Sequence, residues 1–163
     1  MNRPDTQSGF SIIDMIMGLS ILAIAIVGIM SAQRNYVNMS SEIEVGIRGI
    51  SLGNSVMQTI RMHRFDEEQT PTWSTSYGTD TGESSMSDYD DIDDFAAASW
   101  DYSDDGFAGF TISTRVFCVN LASSWLDSVG PGTNYKRIIV SINHDVLETP
   151  VVFSSLYAGV FEE

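Results

Sequence analysis

The sequence predicts an α+β protein: a long N-terminal helical spine, half membrane segment and half amphipathic, packed on a small antiparallel β-sheet. Three observations predict it. An apolar run over 10–32 passes, with no Pro-, Gly- or Ser-rich linker, into a pattern of helical period that lasts to Met62. Three later stretches are β-branched, aromatic and alternating, as strands are. Between helix and strands lies an acid-rich segment, 66–106, with no sustained period.

With 163 residues the chain has room for one ordinary domain and an appendage. Its formal charge of −14, from 22 acidic against 8 basic residues, argues against nucleic acid, which needs clustered Lys and Arg. The single cysteine, Cys118, can form no internal disulfide and has no ligand neighbour at metal-binding spacing, so it reads as a buried thiol on a strand.

The apolar run, "GFSIIDMIMGLSILAIAIVGIM", is about as long as a bilayer-spanning helix requires. Its only ionisable side chain is Asp14. A cleaved secretory signal peptide would want a cationic leader and a shorter apolar core. A plain single-pass anchor fits the length but leaves Asp14 unexplained, because a carboxylate at membrane depth costs about 2.5–3.5 kcal/mol. The segment resembles instead the class III signal of the type IV pilin and pseudopilin superfamily. The resemblance rests on a polar leader ending in Gly9, then Phe10, then an acid five residues into the apolar run.

That resemblance implies a leader peptide over 1–9 and cleavage between Gly9 and Phe10 by a prepilin peptidase, which also methylates the Phe10 amine. It implies a transmembrane and filament-core helix over 10–33, and a periplasmic or extracellular α+β domain over 34–163. Asp14 stands where the family usually carries Glu. Its implied role is in assembly, pairing with the N-terminal amine of a neighbouring subunit, since a buried charge left uncompensated is costly. The implied partners are other pilin subunits, the peptidase/methyltransferase, an inner-membrane assembly platform and the membrane itself, with no nucleic acid. The implied location is the inner membrane before assembly and a periplasmic or surface filament afterwards.

Beyond the membrane, Tyr36, Ile43, Ile50 and Met57 recur every seven residues, with Met39, Ile47 and Ile60 beside them. This stripe is the expected core face of a helix Phe10–Met62. Gly46, Gly49 and Gly53 are expected to let that helix approach the sheet closely, since each costs about 1 kcal/mol against Ala in a helix interior. The helix should end near His63, where an acidic cluster and Pro71 follow.

In the acidic segment, "SDYDDIDDF" carries Asp88, Asp90, Asp91, Asp93 and Asp94, and "DYSDDG" carries Asp101, Asp104 and Asp105. Carboxylates this dense are either solvated or joined by a cation. "DYSDDG" matches the opening of a calcium loop at Asp101, Ser103, Asp105 and Gly106, yet Ile112 occupies the twelfth position, where an acid belongs. Calcium at Asp88, Asp90, Asp91, Asp93, Asp94, Asp101 and Asp105 and a solvated loop therefore both stay open. No other cofactor is suggested. The order "SLGNSVMQTIRMHRFDEE", "DYDDIDDF", "GFTISTRVFCV" is similar to minor pilins of the mannose-sensitive haemagglutinin pilus system, and that likeness covers most of the chain.

The strand stretches are Gly109–Leu121, Tyr135–His144 and Thr149–Phe161, joined by turn-rich "VGPGTN" and "NHDVLETP". In the first, Phe110, Ile112, Thr114, Val116 and Cys118 share a side. No catalytic arrangement emerges: His63 and His144 are isolated, and no nucleophile elbow or phosphate loop is present. The expected function is structural rather than enzymatic: a minor pilin or pseudopilin. The alternatives are a type II secretion pseudopilin and an anchored calcium-binding periplasmic module that never polymerises.

Overall fold

The computed structural model describes residues 11–67, 73–102 and 106–159. It contains one helix, α1 (Ile12–Arg61), and four strands, β1 (Ser99–Tyr102), β2 (Phe110–Cys118), β3 (Tyr135–Asn143) and β4 (Val151–Ala158), with a 3-10 turn at Asp93–Phe95. The expected α+β class is the observed one. The chain divides into two compact units, Met1–Ser41 and Glu42–Glu163, and α1 contributes to both.

In the first unit, every described residue of α1 is exposed. The helix includes a window long and apolar enough to cross a membrane, by length and composition. Its N-terminus is closed locally: the Ser11 amide donates to Asp14 Oδ2 at 3.3 Å, and the Ile13 amide donates to Ser11 Oγ at 3.4 Å. A carboxylate in the first turn satisfies an orphan donor and meets the positive end of the helix dipole. Gly9 and Phe10 lie outside the described residues.

In the second unit, the sheet is an antiparallel meander in the order β1-β2-β3-β4. Ile112 pairs with Ile142 and Val116 with Ile138 across β2 and β3, while Val140 faces Phe153 across β3 and β4. The inward sides of β2 and β3 follow the period of two, with Phe110, Ile112, Thr114, Val116 and Cys118 buried, as the alternation predicts. Against them pack Leu52, Val56, Met57 and Ile60 of α1, together with Ile92 and Phe95.

The face of α1 that does this is not the expected stripe. Tyr36, Met39, Ile43, Ile47 and Ile50 are all exposed, and of the seven predicted residues only Met57 and Ile60 are buried. Seven residues fall short of two turns at 3.6 per turn, so a heptad row drifts about 20° per repeat around a straight helix. The buried row instead steps by three and four: Gly49, Leu52, Gly53, Val56, Met57, Ile60. Gly53 explains the chosen phase, because a Cβ there would overlap the ring of Phe153. Gly49 is tight but less so, since a Cβ there would lie 3.3 Å from the Phe110 ring, whereas Gly46 has open space. Close approach thus holds for two of the three expected glycines.

Candidate functional site

The acidic segment is neither a loose loop nor one continuous irregular stretch. It supplies β1, which pairs with β2 through Trp100–Ile112 and Tyr102–Phe110. Its central block docks beside the helix end: the Ile92 amide donates to the Arg64 carbonyl at 3.0 Å, and Arg64 bridges to Asp91 and forms an ion pair with Asp90. Trp73 is buried and donates through Nε1 to Asn134 Oδ1 at 2.9 Å. Tyr77 accepts from the Cys118 amide at 3.1 Å and donates to the Val129 carbonyl at 3.2 Å.

Docking carries acids inward. Asp91, Asp93 and Asp94 are buried, as is Asp66 just past the helix, so of the two open readings a solvated loop does not describe the three in that block, whereas Asp88 and Asp90 are exposed. Two of the buried acids, Asp66 and Asp93, share a cation that belongs to the chain. Lys136, on β3 in phase with Ile138, Val140 and Ile142, is 1% exposed. Its Nζ donates to Asp66 Oδ2 at 2.9 Å, to the Phe65 carbonyl at 2.6 Å and to Asp93 Oδ1. The ammonium also lies 4.7 Å from the centre of the Phe65 ring, a cation–π contact. The Asp66 carboxylate is further held by the Ser74 amide and hydroxyl, at 3.0 and 2.7 Å.

The electrostatics follow from two acids, Asp66 and Asp93, sharing one amine, with Asp91 buried beside them. Burial works to raise the Asp66 pKa, but the Ser74 and Lys136 hydrogen bonds prevail and hold it below the ordinary carboxylate value. Burial works to lower that of Lys136, and Asp93 and Asp66 outweigh it, keeping the amine charged. Burial raises Asp93 despite the lysine. Asp91, buried and beside the Asp93 charge, is pushed up to about 7.

The remaining acids separate by position. Asp94 Oδ2 accepts the Asp90 and Asp91 amides at 3.0 and 3.1 Å, and Asp91 Oδ1 accepts the Asp93 and Asp94 amides at 2.8 and 3.3 Å. Asp88 is exposed and closes a turn with Ser85. Asp101, on β1, accepts the Thr111 hydroxyl at 2.8 Å, and Asp105 lies outside the described residues.

Among the described residues, the carboxylates that could share a metal are Glu83, Asp90 and Asp94, whose oxygens lie within 4.8 Å of one another. The Asp80 amide bonds Glu83 and works to lower its pKa, yet burial and the neighbouring Asp94 and Asp90 leave it raised. Asp90 and Asp94 were expected from sequence as ligands, and Glu83 was not. Lys136 and Asp66 were also missed, although the strand alternation places Lys136 on the apolar side of "YKRIIVSIN".

His63 and His144 are packing residues, edge-on to Phe95 at 5.2 Å and tilted on Phe110 at 4.7 Å between ring centres. Cys118 is a buried thiol on β2, as expected. Beside the acidic block, a groove of about 420 Å³ opens between α1 and β1, lined by Val56, Thr59, His63, Tyr89, Trp100 and Tyr102 among others. Comparison with family models, with curated proteins and with solved structures finds no match, so the functional reading rests on the residues of this chain.

Proposed function

We propose that this protein is a minor pilin or pseudopilin, a structural or assembly subunit of a type IV pilus-like filament processed by a prepilin peptidase. One observation carries the proposal. The exposed apolar part of α1 holds a single carboxylate, Asp14, in its first turn, and the same helix later supplies the core face of a small sheet domain. An apolar face left exposed by the described residues suits a membrane before assembly and neighbouring helices afterwards. A lone acid at its start suits the amine of a neighbouring subunit. Asp14 uses Oδ2 to accept the Ser11 amide, a bond compatible with a further donor on the same carboxylate.

The partners in this reading are other pilin subunits, the peptidase/methyltransferase, the inner-membrane platform and the bilayer. A type II secretion pseudopilin would carry the same features. A non-polymerising anchored calcium module would keep its leader, so mass spectrometry of the mature N-terminus separates the readings. The expected terminus is methylated Phe10, and an intact Met1 on the membrane-extracted protein would overturn the proposal. Asp14→Ala should reduce incorporation into filaments while leaving membrane insertion unimpaired, and Asp14→Glu should be tolerated.

A further inference from the structure

Two consecutive cations on β3 point to opposite faces of the sheet, as the pleat requires. Lys136 turns inward and is spent on Asp66 and Asp93. Arg137 turns outward, in a row with Phe117 of β2 and Leu156 of β4, and Arg115 stands two residues from Phe117 on the same side. Both guanidinium groups lie over the Phe117 ring, 5.8 Å (Arg115) and 5.9 Å (Arg137) from its centre, and Arg137 is also 4.8 Å from the centre of the Trp125 ring. Arg137 is fixed further by donating to Ser154 Oγ at 2.9 Å and to the Leu126 carbonyl at 3.2 Å. Among the described residues, no carboxylate comes within ion-pair distance of either arginine. In a chain with 22 acidic and 8 basic residues, cations left without an acid stand out.

Such a patch has the make-up of an interface anchor. Trp125 and Leu156 are exposed beside the two arginines, and Trp and Arg are the side chains that most often carry binding energy. A guanidinium stacked on a ring is weakly hydrated and keeps its fork of donors for a carboxylate. Holding Arg137 in place beforehand also lowers the cost of ordering it on contact. The occupant must bring acids, and this chain carries an excess of them elsewhere. The Asp80 amide donates to Glu83 Oε2 at 2.8 Å, and Glu83 comes within 4.8 Å of Asp90 and Asp94, while the arginine at that surface, Arg64, serves Asp90. Arg64 follows the end of α1, which packs on the inward face of the sheet, so one copy cannot bring this acid surface to its own outer face. A second copy can.

We infer that the outer face of the sheet, at Arg115, Phe117, Trp125 and Arg137, docks the acid surface at Asp80 and Glu83 of a second copy of this chain. The two surfaces differ, so the contact is heterologous and repeats from copy to copy, in a ring or an open row. It uses neither the apolar part of α1 nor Asp14, and it stands apart from the filament reading.

The test uses the full chain in detergent, purified as two separately tagged batches that both carry Asp14→Ala, so that association through that acid does not enter. After mixing, one tag should capture the other at about 0.1 M salt, and capture should be lost at about 1 M, where the screening length falls to about 3 Å. Arg115→Glu with Arg137→Glu should cut capture about tenfold or more, and so should Asp80→Lys with Glu83→Lys, because like charges then meet across the contact. Mixing one batch of each kind should restore it, since the intact acids of the first meet the intact arginines of the second. No capture at the lower salt, or capture indifferent to salt and to both pairs of substitutions, overturns the inference. Loss with the arginine pair alone also overturns it, by giving the face to an occupant other than a second copy. Should the arginine pair fail to fold, Arg115→Glu by itself, at an exposed position, should still lower capture, and unchanged capture there is equally fatal. No filament is read in this experiment, so its failure leaves the prepilin reading standing, and an unprocessed N-terminus would leave this contact standing.

Discussion

Gly53 offers a sharp quantitative test of the packing. Replacing it with alanine adds a methyl group that would overlap the Phe153 ring, whose Cζ lies 3.0 Å from the added carbon and two other ring atoms closer. Overpacking of this kind costs about 1–3 kcal/mol. Against it stands a gain of about 1 kcal/mol from replacing glycine in a helix interior. Phe153 is half-buried on β4, at the sheet edge, and can yield somewhat, so the net expectation is a loss of about 1 kcal/mol. Gly46, on the same helix with nothing within 4 Å, supplies the control. Gly46→Ala gains the helix term alone and should stabilise by about 1 kcal/mol. The two variants should therefore melt on opposite sides of wild type, by about 4 °C each, followed through the emission of buried Trp73 in detergent. Combining Gly53→Ala with Phe153→Leu should show favourable coupling. If both alanine variants raise the melting temperature equally, the ring does not rest on the helix backbone and the account of the buried face fails.

Lys136→Met should destabilise the second unit by about 3–5 kcal/mol, because it leaves buried acids uncompensated; denaturant titration measures it, and a neutral effect would refute the burial of those acids. Stability should fall as pH rises. Asp91 has a folded pKa of about 7 against a usual 3.8, so between those values the folded state binds the extra proton, and melting should be higher at pH 5 than at pH 8. Asp91→Asn should flatten that slope. Asp66, whose pKa is depressed, acts oppositely and only in acid: its contribution is lost as pH falls below the ordinary carboxylate value. Because Lys136 already serves as the counter-ion of the inner acids, melting curves in chelator and in millimolar calcium should superimpose. A calcium-dependent rise that Glu83→Gln abolishes would instead place a cation among Glu83, Asp90 and Asp94.

The elements with a strong period of their own were legible in the sequence. The alternation in "GFTISTRVFCV" named the buried side of β2, and the unbroken helical pattern gave α1 to within a residue at its C-terminal end. The helix face was misread because a heptad row looks regular in one dimension and rotates in three. Its true phase is set by glycines, which have no hydrophobicity to register. β1 escaped notice because "SWDY" is short, contains an acid and acquires strand character only by pairing with β2. The acids were misread for a related reason: density of charge suggests solvent, and nothing near them in sequence supplies a cation. Yet one lysine in phase with Ile138, Val140 and Ile142 was visible, and a charge on an apolar side requires buried partners of opposite sign. Glu83 could not have been found this way, since its position depends on turns with no periodicity.

The ammonium of Lys136 joins residues 43 and 70 positions earlier in the chain. Synthesis runs from the N-terminus, so Asp66, Asp91 and Asp93 exist for some time before their cation does. During that interval, mutual repulsion and the need for water oppose docking of the acidic block, and Ile92 and Phe95 stay out of the core with it. Contacts of such long sequence separation form late, after loop closure has been met elsewhere. The cluster therefore works as a completion signal in folding: the helix end and the turn after Ile92 lock only when β3 has arrived and paired. A chain truncated before residue 136 should keep its helical propensity but leave that end open, offering proteases a site that the finished protein hides.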